Sequence, residues 1–142
     1  MRGVQIRRAT PTDLSALLTL VGEFYRADHH HYDEQRVIRA LEPLLVDDNY
    51  GQVWLFDTGY AVVTWSYSLE SGGRDALVDE FYVRNRGRGV GGAVMRALLG
   101  KCREAGALKV FLETEEHNDA ARRFYRRHGF EVERSTWLSR EL

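Results

Sequence analysis

The spacing of apolar and polar side chains in the first third of the chain predicts a strand followed by two helices. Residues 4–8 alternate between apolar and polar positions, as a strand with one buried face does. Thr10 and Pro11 suit the cap and first position of a helix, and apolar residues then recur every three or four positions. The same spacing returns over 33–45 and predicts the second helix.

The middle of the chain carries short apolar runs separated by residues that favour turns. The runs cover 53–56, 60–67 and 76–83, with Thr58-Gly59 and Ser71-Gly72-Gly73 between them. Short connections of this kind join neighbouring antiparallel strands. We therefore predict a three-stranded antiparallel meander.

The last third returns to helical spacing, because Val90, Val94, Leu98 and Cys102 are four residues apart. Gly106 suits the left-handed position that ends a helix. The remaining predicted elements are a buried strand over 108–112, a short helix capped by Asn118 and ending at Gly129, and a final strand over 130–138. The order β-α-α-β-β-β-α-β-α-β predicts a mixed, mostly antiparallel sheet flanked by helices, of the α+β or three-layer α/β class.

Composition narrows the class of protein. The chain has 142 residues, of which 44% are hydrophobic and 29% charged, so we expect one domain over 1–142 with a sizeable core. No apolar run is long enough for a membrane span or a signal peptide. Cys102 is the only cysteine, which excludes an internal disulfide and a cysteine-based metal cluster and favours the cytoplasm.

The charges are unevenly distributed. The net charge of −1 gives no support for nucleic-acid binding. Residues 1–70 contain ten acidic residues and six arginines, whereas residues 71–142 contain 11 acidic and 14 basic residues. This asymmetry indicates an anion site in the second half and a cation site in the first, although a chance distribution accounts for it equally simply.

The segment Arg86-Gly87-Arg88-Gly89-Val90-Gly91-Gly92 carries the strongest chemical signal. It lies between a predicted strand and a predicted helix. Glycines let the backbone approach a ligand, and the N-terminus of a helix offers free N–H groups and partial positive charge. With two arginines beside it, the segment is typical of a phosphate site.

Three kinds of phosphate-binding loop are compatible with a glycine-rich segment between a strand and a helix. A P-loop is excluded because no Gly-Lys-Ser/Thr follows. Gly87, Gly89 and Gly92 match the dinucleotide pattern G-x-G-x-x-G, and Glu113 lies about 20 residues further on, as that fold requires. However, four positions separate Val83 from the first glycine, the meander has the wrong topology, and too few residues follow for further βα units.

The third alternative is the GNAT superfamily of acyl-CoA-dependent N-acyltransferases, which the chain resembles in two motifs. Residues 86–91 fit its signature of Arg or Gln, two residues, Gly, one residue, and Gly or Ala. A second block, Asn118 to Phe130, also fits, and so does the predicted order of elements. The resemblance implies that the strand ending at 81–83 parts from the strand over 108–112 and that acetyl-CoA binds in between. The implied cofactor-binding residues are Phe81, Tyr82, Val83, Arg86, Gly87, Arg88, Gly89, Val90, Gly91, Gly92, Asn118, Ala121 and Tyr125.

The same resemblance suggests the catalytic groups. Tyr125 is the expected acid for the leaving thiolate, although a core position would also explain it. A backbone N–H of Val83 or Phe81 would polarise the thioester carbonyl. Glu80 is the expected base, directly or through a water. Neighbouring strand residues face opposite sides, so Asp79 joins Glu80 in the cavity only if a bulge intervenes; Glu113 and Glu115 are the lesser alternatives.

Other residues carry weaker signals. The tract His29-His30-His31 suggests a metal site, but three consecutive residues cannot all face one ion, so a linking loop is the simpler interpretation and no metal is expected. Cys102 is expected to be buried and inert. The residues considered for contact with the acceptor are Tyr25, Tyr32, His29, His30, His31, Trp65 and Tyr67. Residues such as Trp65 and Tyr67, on one face of a middle strand, are more often core residues.

The resulting expectation is a cytoplasmic N-acetyltransferase that transfers the acetyl group of acetyl-CoA directly to a primary amine. The amine belongs to a small molecule, a peptide or a protein, and the acidic first half favours a cationic acceptor. A homodimer is expected from the resemblance, and neither nucleic acid nor membrane is an expected partner. The alternative is a non-catalytic acyl-CoA-binding module or sensor.

Overall fold

The computed structural model describes residues 4–84 and 89–142. Within them the chain forms five strands and four α-helices, and a short 3₁₀ turn at Pro11–Asp13 leads into the first helix. The elements in chain order are β1 (Arg7–Arg8), α1 (Leu14–Ala27), α2 (Glu34–Val46), β2 (Gly51–Phe56), β3 (Gly59–Ser68), β4 (Gly73–Val83), α3 (Val90–Glu104), β5 (Lys109–Phe111) and α4 (Asp119–Arg127).

The five strands form one sheet in the spatial order β1-β2-β3-β4-β5. Strands β1 to β4 are antiparallel to their neighbours, and β5 alone runs parallel to its neighbour β4. The short turns at 57–58 and 69–72 join β2, β3 and β4 as the predicted meander. The mixed, mostly antiparallel α+β sheet expected from the sequence is therefore confirmed.

Helices cover both faces of the sheet. On one face, α1 and α2 bury apolar residues such as Leu17, Val21 and Leu41 against β2 and β3. On the other face, α3 buries Val94 and Leu98 against β3 and β4. Each such side chain contributes roughly 1.5–3 kcal/mol when it leaves water, so the two layers hold the sheet from both sides.

Capping residues fix where the helices begin. The backbone N–H of Thr10 donates to Asp13 Oδ2 at 2.8 Å, and the Arg7 guanidinium holds the same carboxylate at 2.8 Å. Asp33 caps α2 by accepting the backbone N–H of Arg36 at 3.3 Å. The predicted helix starts near residues 10 and 33 are thereby confirmed, with α1 proper beginning after the 3₁₀ turn.

The predicted final strand over 130–138 is wrong, because the structure forms no strand after α4. Residues 131–142 are all exposed, and the only ion pair found there joins Glu133 to Lys109 at 3.0 Å. A strand needs backbone hydrogen bonds from a neighbour, and β5, the only adjacent edge, is three residues long. The alternation of side chains over 130–138 is therefore not enough to form a strand, because no neighbouring strand supplies the hydrogen bonds.

Candidate active site

Strands β4 and β5 part where the ladder between them ends. Their parallel pairing covers only Asp75↔Lys109, Ala76↔Val110 and Leu77↔Phe111. Strand β4 continues to Val83 along β3 alone. The parting of these strands expected from the sequence is confirmed, and it opens a gap in the sheet beside residues 78–83.

The backbone of β4 presents N–H groups to this gap. The N–H of Arg84 donates to the carbonyl of Thr58 at 2.6 Å, and the carbonyl of Tyr82 lies against Gly59 of β3. Alternate residues of a strand direct their backbone groups to opposite edges. The N–H groups of Phe81 and Val83 therefore point away from β3, toward the gap.

A bulge in β4 changes the direction of its acidic side chains. Val62 pairs with Glu80, but the next residue of β3, Val63, pairs with Val78, so Asp79 is the extra residue. A bulge re-aims a side chain that regular alternation would send to the other face. As a result, Asp79 and Glu80 both line the same cavity.

That cavity crosses the gap from one side of the sheet to the other. It has a volume of about 1360 Å³, more than the roughly 300–1,000 Å³ of a site for one small ligand. Its walls come from α1, α2, β4, the start of α3, the segment after β5, and α4. The size and the position across the gap suit two reactants that meet between the strands.

The end of the cavity near α1 and α2 is rich in carboxylates. Burial raises the pKa of Asp79, and the nearby carboxylate of Glu113 raises it further. Asp28, which also lines this end, forms an ion pair with His30 at 2.8 Å. The arrangement favours a ligand that carries positive charge.

Glu80 is the most enclosed of these carboxylates. The hydroxyl of Tyr25 donates to Oε2 at 2.5 Å, and the hydroxyl of Tyr60 donates to Oε1 at 2.7 Å. Burial raises the pKa of Glu80, and the two hydrogen bonds oppose that rise. A carboxyl group with a raised pKa and fixed geometry is well suited to accept a proton near neutral pH.

The opposite end of the cavity is built on the N-terminus of α3. Gly89 adopts φ +76°, the left-handed conformation that favours glycine, and precedes the first helical residue, Val90. A Cβ at position 92 would lie only 3.2 Å from the ring of His128, so glycine lets the helix and the ring approach. The free N–H groups of this first turn face the cavity end.

Basic side chains surround that helix terminus. Arg96, Arg127 and His128 line the cavity there, and burial together with the two arginines lowers the pKa of His128. Helix dipole and arginines together make a site for an anion such as a phosphate. The predicted residues Arg86, Gly87 and Arg88 lie outside the described residues.

Helix α4 supplies the wall beside the gap. Asn118 caps this helix, since its side-chain oxygen accepts the N–H of Ala121 at 3.1 Å. Tyr125 lies two turns along the same face, with its ring packed edge-on against Phe124 and Phe130 at centroid distances of 5.2 and 5.8 Å. Asn118, Ala121 and Tyr125 all line the cavity, so the predicted motif on α4 does face the gap.

Most of the predicted site residues that the structure describes meet in this one cavity, and some do not. The residues that line it are Glu80, Phe81, Val83, Gly89, Val90, Gly91, Gly92, Asn118, Ala121 and Tyr125, together with the alternatives Asp79, Glu113, Glu115, Tyr25, His30 and His31. Tyr82 does not, because its ring stacks on Phe24 at 5.3 Å on the α1 face.

The interpretation of Trp65 and Tyr67 as cavity residues is wrong. Trp65 donates its indole N–H to the carbonyl of Asp48 at 2.8 Å and packs under Arg74. Tyr67 is 79% exposed at the far end of β3. Both lie on the part of β3 that pairs with the start of β4, before the gap opens.

Tyr32, His29 and Cys102 are likewise absent from the cavity wall. Tyr32 packs edge-on against Tyr25 from outside at a centroid distance of 6.0 Å. Cys102 is buried in α3, and burial raises the pKa of its thiol to about 11, as expected for an inert cysteine. Within 4–84 and 89–142, no group of His, Cys, Asp or Glu side chains is arranged to hold a metal ion.

Sequence reasoning did not identify Tyr60, Arg96, Arg127 or His128 as site residues. Tyr60 has the signature of a core strand residue and is fully buried, so its hydrogen bond to Glu80 depends on the pairing of β3 with β4. Arg127 and His128 lie inside the α4 motif, and their place in that motif was the signal that could have identified them as site residues.

None of the helices in the described ranges combines the length and apolar character that crossing a bilayer requires.

Comparison with known proteins agrees with the fold. The family model "Acetyltransferase (GNAT) family" matches residues 14–130. An integron cassette protein from the mobile metagenome of Cole Harbour Salt Marsh is 32% identical over 97% of this chain and 90% of its own, with a TM-score of 0.85. A protein of Arthrobacter sp. FB24 named "putative acetyltransferase" is 28% identical over 97% and 96%, with a TM-score of 0.84.

A more distant likeness concerns the fold alone. An aminoglycoside acetyltransferase from an uncultured soil metagenomic sample is 19% identical over 98% of this chain and 96% of its own, with a TM-score of 0.77. A search of curated proteins finds no significant match.

The family match covers most of the chain, and the chain therefore belongs to the GNAT acetyltransferase family. The dinucleotide alternative is excluded at the same time. Its fold needs successive parallel strands, whereas β2, β3 and β4 are antiparallel.

Proposed function

We propose that the protein is an N-acetyltransferase that moves the acetyl group of acetyl-CoA directly onto a primary amine. The observation that carries the proposal is the cavity through the β4–β5 gap, with a basic helix terminus at one end and carboxylates at the other. Such an arrangement keeps an anionic and a cationic reactant in separate subsites and lets them meet between the strands.

The described residues at the basic end fit coenzyme A. Main-chain N–H groups of Val90, Gly91 and Gly92 and the side chains of Arg96 and Arg127 would hold its phosphates. The backbone of Phe81 and Val83 would bind the pantetheine arm, as an added strand pairs with an exposed sheet edge. Bound there, acetyl-CoA supplies an activated thioester carbonyl.

The gap suits acyl transfer because backbone donors face it. An N–H of Phe81 or Val83 would stabilise the negative charge that develops on the carbonyl oxygen, a contribution that is typically large in water-excluded sites. Such donors cost no reorganisation because β3 already holds this part of β4.

Proton transfer would divide between the two walls of the gap. Glu80, or a water that it holds, accepts the proton of the acceptor ammonium, and the amine nitrogen then bonds to the carbonyl carbon. As the carbon–sulfur bond breaks, Tyr125 donates its proton to the thiolate. The extra proton on the amide nitrogen then passes to the Tyr125 phenolate, and Glu80 releases its proton to water. The products are an N-acetylated amine and a free thiol. No acyl-enzyme is needed, because the buried Cys102 is no nucleophile.

The carboxylates at the other end favour an acceptor whose amine is protonated in solution. Asp79, Glu80 and Glu113 would attract such a cation and orient it toward the gap. The acidic first half of the chain, which contributes Asp28 and Asp33 to the same end, is consistent with this. The proposed acceptor is a primary amine of a small molecule, a peptide or a protein.

The proposed setting is the cytoplasm, because the single cysteine is buried as a thiol. We propose residues 1–142 as one functional domain that acts without nucleic acid or membrane partners, as a homodimer. Size-exclusion chromatography with light scattering measures the assembly, and a monomeric mass would contradict that part of the proposal.

The experiment that tests the activity is a screen of primary amines with acetyl-CoA, using release of free thiol as the readout. We expect thiol release that depends on both the amine and the protein, with the acetylated product visible by mass spectrometry. The alternative is a non-catalytic acyl-CoA-binding module. Tight binding of acetyl-CoA without turnover across small amines, peptides and proteins would favour that alternative and contradict the enzyme.

A further inference from the structure

The hydrogen bonds of Glu80 come from two separate layers of the fold. Tyr25 belongs to α1, which covers the sheet, and its hydroxyl lies 2.5 Å from Oε2. Tyr60 belongs to β3 inside the sheet, is fully buried, and its hydroxyl lies 2.7 Å from Oε1. Each oxygen of the carboxylate therefore has one phenol donor.

We propose that Tyr25 and Tyr60 are positioning residues that hold the Glu80 carboxylate in its ionised form and aim it at the amine of the acceptor. The inference rests on the proposed function in one respect, the role of Glu80 as the base. The pair of phenols, which we call the tyrosine clamp, has no place in the mechanism derived above.

The number of donors explains why the clamp favours the ionised carboxylate. An ionised carboxylate only accepts hydrogen bonds, so it satisfies both phenols at once. A protonated carboxyl group must place its own proton on one oxygen, where it competes with a phenol. Hydrogen bonds to an ionised group are about twice as strong as neutral ones, which adds to the preference.

The clamp counters other influences on the same group. Burial and the neighbouring carboxylate of Asp79 both raise the pKa of Glu80, whereas the two tyrosines and the more distant His30 lower it. Glu113 faces Asp79 rather than Glu80. Of the two hydroxyl groups, that of Tyr60 is the deeper. Burial, together with the proximity of Glu80, raises the pKa of both phenols, so they remain protonated donors.

The clamp also leaves room for substrate. Each carboxylate oxygen has two lone-pair directions, and the phenols use one on each oxygen. The remaining directions would accept an ammonium group or a bridging water in the cavity that Glu80 lines. Because α1 and β3 fix the carboxylate from two sides, these directions have a defined orientation, which is what a general base requires.

The test compares Tyr25→Phe and Tyr60→Phe with the matched control Tyr32→Phe. Tyr32 packs against Tyr25, but its hydroxyl donates to the carbonyl of Leu18 at 3.4 Å instead of to Glu80. The measurement is kcat/KM for the amine as a function of pH at saturating acetyl-CoA. We expect each clamp variant to move the acid limb to higher pH by about one unit, which is tenfold in rate on that limb.

A merely structural role would give a different profile. If Tyr25→Phe lowers activity by the same factor at every pH, or leaves the acid limb in place, the clamp is contradicted. A shift of the limb in Tyr32→Phe equal to that of the clamp variants contradicts it too. Tyr60 is fully buried, so if its variant does not fold, the partly exposed Tyr25 decides the question alone.

A second readout separates this inference from the proposed function. The carboxyl carbon of Glu80 can be titrated by NMR in protein labelled with ¹³C-glutamate and assigned with Glu80→Gln. We expect Glu80 to titrate at higher pH in Tyr25→Phe than in the wild type, whether or not any amine is acetylated. An unchanged titration overturns the clamp; an inactive wild type with a shifted titration overturns only the proposed role of Glu80.

Discussion

The two ends of the cavity present polar groups from different parts of the chain. At the end near α3, the polar groups that matter are main-chain N–H groups at a helix terminus, with Arg96 and Arg127 around them. At the end near α1, they are carboxylates, and the best placed of them, Glu80, is held by two tyrosine hydroxyls. The parted strands β4 and β5 join the two ends.

The difference fits the ligand that each end is proposed to take. Main-chain donors and a helix dipole bind any phosphate of suitable shape, so that end suits a cosubstrate shared by the whole family. Side-chain carboxylates from the connection between α1 and α2, from β4 and from the segment after β5 depend on the individual sequence. We therefore propose that the α1 end sets the choice of amine.

The largest expected effect is at the acidic end. Glu80→Gln keeps the size of the side chain and removes the base, so we expect kcat/KM for the amine to fall by about 10²–10⁴-fold. The affinity for acetyl-CoA, measured by calorimetry, should stay unchanged because the other end binds it. Asp79→Asn, on the bulge, removes a nearby negative charge but not the proposed base, so we expect a smaller loss there. A larger loss than in Glu80→Gln would assign the base to Asp79 instead.

The next effect is at the gap itself. Tyr125→Phe removes the proposed acid and keeps the packing of the ring against Phe124 and Phe130. We expect kcat to fall by roughly 100-fold with binding of acetyl-CoA retained. Tyr67→Phe, at an exposed tyrosine outside the cavity, is the control. Full turnover in Tyr125→Phe would show that Tyr125 is not the acid that protonates the thiolate.

A smaller effect is expected at the basic end. Arg96→Ala removes a charge-assisted hydrogen bond to a phosphate, so we expect the affinity for acetyl-CoA to drop about tenfold. The control is Arg103→Ala, because Arg103 lies in the last turn of the same helix, outside the cavity. This variant should bind acetyl-CoA with the affinity of the wild type. Calorimetry at two salt concentrations checks both variants, and equal affinities in the two would contradict the phosphate site.

The smallest effect separates stability from activity. Asp13→Ala removes the carboxylate that accepts from Thr10 and Arg7, and we expect a loss of about 1 kcal/mol in the free energy of unfolding with turnover unchanged. These hydrogen bonds lower the pKa of Asp13 from 3.8 to about 2. Its contribution to stability is therefore complete above pH 3.8 and lost as the pH falls toward 2.

Urea unfolding of the wild type and the Asp13→Ala variant at pH 7 and near pH 2 measures that difference. The difference in free energy of unfolding between the two proteins should disappear at the lower pH. A stability difference that is the same at both pH values, or a change in turnover at pH 7, would contradict this role of Asp13.

The same two ends also differ in how far the sequence predicts them. The described part of the basic end consists of a contiguous segment, 89–92, and a second motif on α4. The glycine spacing predicted the first, and the resemblance to the GNAT family predicted Tyr125 on the second. The acidic end brings together Tyr25, Tyr60 and Glu80, which are 20 and 55 residues apart in their hydrogen-bonded pairs. No local pattern encodes that meeting.

Two further misses have physical causes. The bulge that turns Asp79 into the cavity depends on the register between β3 and β4, which side-chain alternation along one strand does not determine. The strand expected over 130–138 has the right alternation but no strand beside it to complete the ladder. In both cases the missing information is the pairing between strands, not the preference of a residue.

The most direct test of the central claim is an NMR titration of backbone N–H signals with acetyl-CoA. The account predicts the largest shifts at Phe81, Val83 and Gly89 to Gly92, with small changes at Ala76 and Leu77, where β5 already pairs with β4. Shifts that leave Phe81 and Val83 unaffected, or no response to acetyl-CoA at all, would show that the gap between β4 and β5 is not where the cosubstrate binds.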